Sequence, residues 1–222
     1  FVANVSHELR TPLQSIKLGL ETINNGHAAD DAESQKKILP LVLQQTTRME
    51  NIVNDLLSLS RIELQEHIRP NDKIDINEII SHSVDLHQEI LKKNNIICKI
   101  DQQTKDSIIN GDRNRLIEVF NNLIDNAIKY SEKNKKINIT TSSDDKNLIV
   151  IVKDEGIGIS RENIPQITER FFRVNPAKSK EVGGTGLGLA IVKHIVNQHR
   201  AEMNISSEEN KGTTISINFP KS

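Results

Sequence analysis

The chain has 222 residues, with 29 Lys and Arg against 30 Asp and Glu. That balance excludes the basic footprint of a nucleic-acid binder. A composition 36% hydrophobic and 27% charged fits a soluble globular chain of one or two domains. One cysteine, Cys98, excludes an internal disulfide, and a buried strand residue is its simplest reading. No apolar run approaches the ~18 residues of a membrane span, and no secretory signal is visible. Phe1-Val2-Ala3-Asn4 enters a helical pattern at once, without Met or N-cap. The chain is therefore expected to be a piece of a longer protein.

The first third predicts two helices. Val2, Val5, Leu9, Leu13, Ile16, Leu20 and Ile23 recur at three- and four-residue spacing, giving a helix over 1–24. Asn24-Asn25-Gly26-His27 breaks the pattern, and Asp30-Asp31 supply caps. A second stripe of Ile38, Val42, Met49, Ile52, Val53, Leu56 and Leu59 predicts a helix over 33–64. Pro40 is tolerated near its start, where backbone N–H groups lack partners. One hairpin buries such stripes poorly, whereas two hairpins form a four-helix bundle, so a parallel homodimer is expected.

His67 to Lys73, polar and containing Pro70, reads as a linker. The domains are accordingly placed at 1–68 and 69–222. After the linker come a helix over 76–93, a strand over 95–101 and a helix over 112–130 capped by Asp112. A hairpin of 136–142 and 148–153 turns at Ser143-Asp144-Asp145-Lys146-Asn147. Residues 160–184 read as irregular, 185–198 as a helix, and 203–207 with 213–219 as a closing hairpin. The order fits a mixed sheet of about five strands with three helices on one face.

Three stretches of the second domain carry ligand chemistry. In Asn122-Leu123-Ile124-Asp125-Asn126-Ala127, the two asparagines share a helix face, where amide oxygens can hold a hard cation. Lys129 and Tyr130 follow one turn on, within reach of phosphates. The same pattern alone also fits an exposed polar face. In Asp154-Glu155-Gly156-Ile157-Gly158-Ile159, a carboxylate at a strand end can accept from an exocyclic amine, and glycines permit close backbone approach. A plain tight turn fits equally. Gly183-Gly184-Thr185-Gly186-Leu187-Gly188-Leu189-Ala190 opens a helix whose free N–H groups form an anion site. It matches neither a Walker A loop nor a dinucleotide fingerprint. The irregular run before it suits a lid, and Glu169-Arg170-Phe171-Phe172-Arg173 within that run offers either a lid anchor or a local hydrophobic plug.

VSHELRTPL at 5–13, NLIDNA, DEGIGI, ERFF and GGTGLGLA, in that order, strongly resemble the H, N, G1, F and G2 boxes of a two-component sensor histidine kinase. The resemblance spans the whole chain. It implies an all-α phosphoacceptor hairpin, dimerising as a four-helix bundle, then an α/β sandwich of the Bergerat (GHKL) type. RFFRV and SKEVGGTGLGLAIVKHIV look most like phosphate-regulon sensors. Ala201 departs from the glycine expected after the last helix. The resemblance further implies ATP and Mg²⁺ as cofactors, with Asn126, supported by Asn122, on the metal. Asp154, Gly156, Gly158 and Ile159 would take adenine. Lys129, Tyr130, Arg173 and the turn Gly184, Thr185, Gly186, Leu187 and Gly188 would take phosphates. The partners implied are a second copy and a response regulator receiver domain. The membrane is reached only through segments outside this chain, which would be the cytoplasmic domain of an inner-membrane-anchored bacterial protein. Proteins such as Hsp90, MutL and gyrase share the ATP fold, so a conformational ATPase is the alternative. They lack the H box.

By the same resemblance His7 is the phosphoacceptor. An imidazole is a usable nucleophile near neutral pH. Glu8 is placed to take its proton, and Arg10 to neutralise charge on the phosphoryl group. Thr11, four residues after His7, would position water for dephosphorylating the regulator. Pro12 lacks an N–H and pushes the Glu8 carbonyl out of the helical ladder, which predicts a bending point. Replacing Pro12 by Ala is expected to change the ratio of kinase to phosphatase activity, and an unchanged ratio would remove the hinge from the mechanism.

Overall fold

The computed structural model describes residues 2–25, 31–176, 179 and 182–221. Helices α1 (Val2–Asn25) and α2 (Ala32–Gln65) form an antiparallel hairpin. Gly19 lets them approach closely, because a Cβ there would lie 2.6 Å from Val42 Cγ2. Asp31 caps α2 by accepting from the Glu33 N–H at 3.0 Å. The expected break at Gly26-His27, and the Asp30 cap, lie outside the described residues. Helix α1 runs unbroken through Pro12, which is buried. Leu13, Leu20, Leu41, Leu43 and Leu57 stay at least half exposed in one chain.

The second unit comprises β1 (Asp72–Asp75), α3 (Ile76–Leu86), α4 (Gln88–Lys93), β2 (Ile97–Gln102), β3 (Ile108–Gly111), α5 (Arg113–Tyr130), β4 (Lys136–Ser143) and β5 (Asn147–Asp154). A single 3₁₀ turn at Ile164–Gln166 precedes α6 (Gly188–Gln198), β6 (Glu202–Glu208) and β7 (Gly212–Pro220). The five-stranded sheet has the order β2-β4-β5-β7-β6, with β2 parallel to β4 and the other pairs antiparallel. Alternate residues Ile137, Ile139, Leu148, Val150, Val152, Ile215, Ile217 and Phe219 are buried, with Leu116, Phe120 and Leu123 of α5 and Ile191 and Ile195 of α6 in the same core.

The sequence reading needs four corrections. Two short strands, β1 and β3, pair antiparallel from Asp72↔Gly111 to Asp75↔Ile108, so the expected linker ends in a strand. The helix expected over 76–93 is two, broken at His87, whose Nδ1 bonds the Ser83 carbonyl at 2.8 Å. The last helix starts at Gly188 rather than residue 185, because Thr185 and Gly186 form the turn ahead of it. After that helix the left-handed residue is Arg200 (φ 53°), so Ala201 is a buried core residue and no glycine is needed there.

Helix α5 carries the asparagine pair, and its start is held from two sides. The Asp112 carboxylate accepts from the N–H groups of Asn114 and Arg115 at 2.9 and 3.1 Å. The Asp112 N–H donates to His199 Nε2 at 3.0 Å, while His199 Nδ1 donates to the Ile195 carbonyl at 2.7 Å. His199 is 3% exposed. Burial, partly opposed by the Ile195 carbonyl and by Asp112, pulls its pKa below the ordinary 6.5. Its stabilisation is therefore complete above the unfolded value and is lost as pH falls through the folded one. Denaturant midpoints are expected to drop below about pH 6.5. In His199→Gln that acid-side drop should shrink, and an identical pH profile would contradict the assignment.

Candidate functional site

A cavity of about 480 Å³ opens between α5, the turn after β5 and the glycine turn before α6. Its walls include Asn122, Asn126, Lys129, Tyr130, Asp154, Gly158, Ile159, Arg173, Gly184, Thr185, Gly186 and Gly188. Most of the site residues expected in this unit therefore converge. Gly156 and Leu187 stand behind them, Leu187 fully buried.

On α5, Asn122 Nδ2 donates to the Glu118 carbonyl at 2.9 Å. Its Oδ1 lies against Gly188, where a Cβ would approach to 2.5 Å. Among the described residues no group of three His, Cys, Asp or Glu is placed to hold a metal. Asn126 and Asn122 bring side-chain amides to the cavity wall, and an amide oxygen is a donor that a hard cation accepts. Lys129 is not a free phosphate ligand in this arrangement, because it pairs with Asp125 at 2.6 Å. The Tyr130 hydroxyl meets Ser179 Oγ at 3.3 Å.

At the end of β5, Asp154 Oδ1 accepts from the N–H groups of Gly156 and Thr213 at 2.8 and 3.1 Å. Burial raises its pKa, and those two N–H bonds oppose the rise. The following turn rests on the β6–β7 hairpin. The Ile159 N–H donates to Ser207 Oγ at 2.8 Å, and Gly158 sits at φ 67° with no room for a Cβ against the Glu208 carbonyl. Only glycine takes both that conformation and that contact.

The lid end and the glycine turn bond to each other. The Phe171 N–H donates to the Gly186 carbonyl at 2.8 Å, with Phe171 packed on the core and Phe172 on the cavity wall. Arg173 Nη2 donates to the Thr185 carbonyl at 2.7 Å. Arg173 also forks onto Glu8 of α1, at 2.8 and 3.3 Å. Glu8 is thus occupied, and so is the arginine expected on phosphate. His7 and Arg10 are exposed, and the Thr11 hydroxyl donates to the His7 carbonyl at 3.3 Å.

Sequence reasoning missed what α2 brings to this place. Asn51, Asn54 and Asp55 line the cavity. Arg48, 8% exposed, pairs with Glu8 at 3.5 Å. Desolvation, then the neighbouring Arg173, lowers the Arg48 pKa, while Glu8 raises it. Asp55 Oδ2 accepts from the Thr185 hydroxyl at 2.6 Å. Burial raises the Asp55 pKa against that bond. Arg48 and Asp55 lie at helical spacing from Ile52 and Leu59, and no local signal tells such an interleaved polar residue from one that faces water.

Residues 1–65 match the His Kinase A (phospho-acceptor) domain, and residues 111–222 match the histidine kinase-, DNA gyrase B- and HSP90-like ATPase family. Sensor protein kinase WalK of Staphylococcus epidermidis is 38% identical over 99% of this chain, which spans 36% of that relative. Sensor-like histidine kinase SenX3 of Mycolicibacterium smegmatis is 33% identical over 100% of the chain, which spans 57% of it. The chain therefore covers well under two thirds of these relatives. Among solved structures, histidine kinase AdeS of Acinetobacter baumannii matches with TM-score 0.76 and 27% identity, covering 97% of this chain and 98% of its own. Histidine kinase ThkA in complex with the response regulator TrrA matches with TM-score 0.77 and 26% identity, covering 100% of this chain and 61% of its own. With the phosphoacceptor and ATPase units in this order on one chain, the protein belongs to the sensor histidine kinases.

Proposed function

We propose that this chain is the catalytic core of a cytoplasmic, membrane-anchored sensor kinase. In this reading it moves the γ-phosphoryl group of ATP to His7, passes it to a response regulator aspartate, and also dephosphorylates that regulator. The carrying observation is that Arg173, on the cavity wall at the lid end, is bonded to Glu8, the residue after His7. The exposed apolar row on the hairpin supports a homodimer. RFFRV and the glycine turn support a phosphate-regulon type of sensor.

Asp154 binds the adenine amine, and Gly158 lets the base approach the turn. N–H groups at the start of α6 take phosphate oxygens. Asn126 and Asn122 hold Mg²⁺, which neutralises phosphate charge when bound. A His7 ring nitrogen attacks the γ-phosphorus, the bond to the bridging oxygen breaks, and ADP leaves with that electron pair. The imidazole proton passes to Glu8. For Glu8 to accept it, Arg173 must exchange the carboxylate for the phosphoryl oxygens, so a single swap frees the base and places the cation.

Incubation of the chain with γ-labelled ATP and Mg²⁺ should give an acid-labile, base-stable label that His7→Ala abolishes. Arg173→Ala should lower the labelling rate about tenfold or more. Nucleotide binding and free phosphate release without any label would instead mark a conformational ATPase.

A further inference from the structure

Thr185 is where the glycine turn, the lid end and the hairpin meet. Its hydroxyl donates to Asp55 Oδ2 at 2.6 Å and accepts from the Leu187 N–H at 3.2 Å. Its carbonyl accepts from Arg173 at 2.7 Å. Among the described residues Asp55 is the sole partner here from outside the ATP domain, and it stands on the cavity wall. One and two turns further along α2, Leu59 and Ile62 are at most 1% exposed within the ATP-domain core, so Asp55 is held on a fixed helix face.

We propose that Asp55 is a positioning residue for phosphoryl transfer: docked against Thr185, it sets the glycine turn that presents the phosphate-binding N–H groups. The inference rests on the kinase reading above. Its physical basis is a charge-assisted hydrogen bond that exists only when the two domains are in contact. An ATP domain swung away from α2 keeps its cavity walls on α5 and β5, and so still admits nucleotide, but its turn lacks this restraint. Loss of Asp55 therefore falls on the transfer step rather than on nucleotide capture. The geometry also orders the substitutions. Asparagine at 55 keeps an oxygen that accepts from the hydroxyl, whereas alanine keeps nothing. Valine at 185 removes the donor from the other side.

The experiment compares wild type, Asp55→Ala, Asp55→Asn, Thr185→Val and the Asp55→Ala/Thr185→Val double variant, all in the full 222-residue chain. Asp55→Ala should lower kcat for labelling about tenfold with KM for ATP little changed, and Asp55→Asn should recover most of the rate. The double variant should be no slower than the slower single one, since one bond is removed twice. Amide exchange supplies a readout independent of catalysis, with the Leu187 N–H exchanging faster in Asp55→Ala than in wild type. A wild-type kcat in Asp55→Ala, additive losses, or a loss matched by a lower unfolding midpoint would overturn the assignment. Absence of label in wild type removes the kinase reading instead, and unaltered Leu187 exchange would then remove this one as well.

Discussion

The arrangement depends first on two side chains of α2, Leu59 and Ile62, sunk into the core of the α/β unit. Burying each is worth roughly 1.5–3 kcal/mol, well above the ~0–1 kcal/mol of an exposed ion pair. Apolar burial therefore holds the helix against the ATP domain, and polar groups around it set the register. Glu63 meets Arg170, and His194 lies 3.6 Å from Glu63 and 3.5 Å from Glu66. Gln198 donates to the carbonyls of Gln65 and Ile68 at 3.2 and 3.3 Å, satisfying groups at the end of α2. One turn before Leu59 the same face presents Asp55, and two further turns back it presents Arg48. A packing contact thus fixes which residues the hairpin offers to the cavity.

The cavity in turn needs no large rearrangement of the sheet. Asp154 ends a central strand, its carboxylate anchored by N–H groups from its own turn and from β7. Opposite it, α5 is fixed at its start by Asp112 and His199 and along its length by Leu116, Phe120 and Leu123. The segments that bond mainly to one another, the lid end and the glycine turn, lie between these two fixed walls.

The sequence carried the periodic parts well. Stripes at helical spacing marked α1, α2 and α5, and alternation marked β4, β5 and β7, because each buries one face and local pattern reports burial directly. β1 and β3 were illegible because each has four residues and they pair only with each other. Their strand character comes from a partner more than thirty residues away. The G boxes were legible because glycine is demanded by backbone sterics that a short motif records. Arg48, Asp55 and the occupied state of Glu8 were not, since each depends on the other domain lying alongside. A polar side chain on a helix looks the same in sequence whether it meets water or a neighbour.

The charge arrangement around Glu8 bears on the proposed transfer. Two guanidiniums, Arg48 and Arg173, share one carboxylate, so the cluster carries one positive charge in excess. All three side chains are largely withdrawn from water, at 8%, 6% and 18% exposure. Weaker screening there makes the excess costlier than it would be on the surface. Among the described residues, two buried N–H groups, Arg48 Nε and Arg173 Nε, also have no hydrogen-bond partner, and an unmade bond of that kind is unfavourable. An anion arriving at Arg173 would relieve the charge excess and offer an acceptor to Arg173 Nε. Arg48 would stay with Glu8 and keep the carboxylate from being stranded. In the proposed transfer, a cluster with one cation too many would suit a phosphate beside His7, and that imbalance would favour the exchange of Glu8 for the phosphoryl oxygens at Arg173.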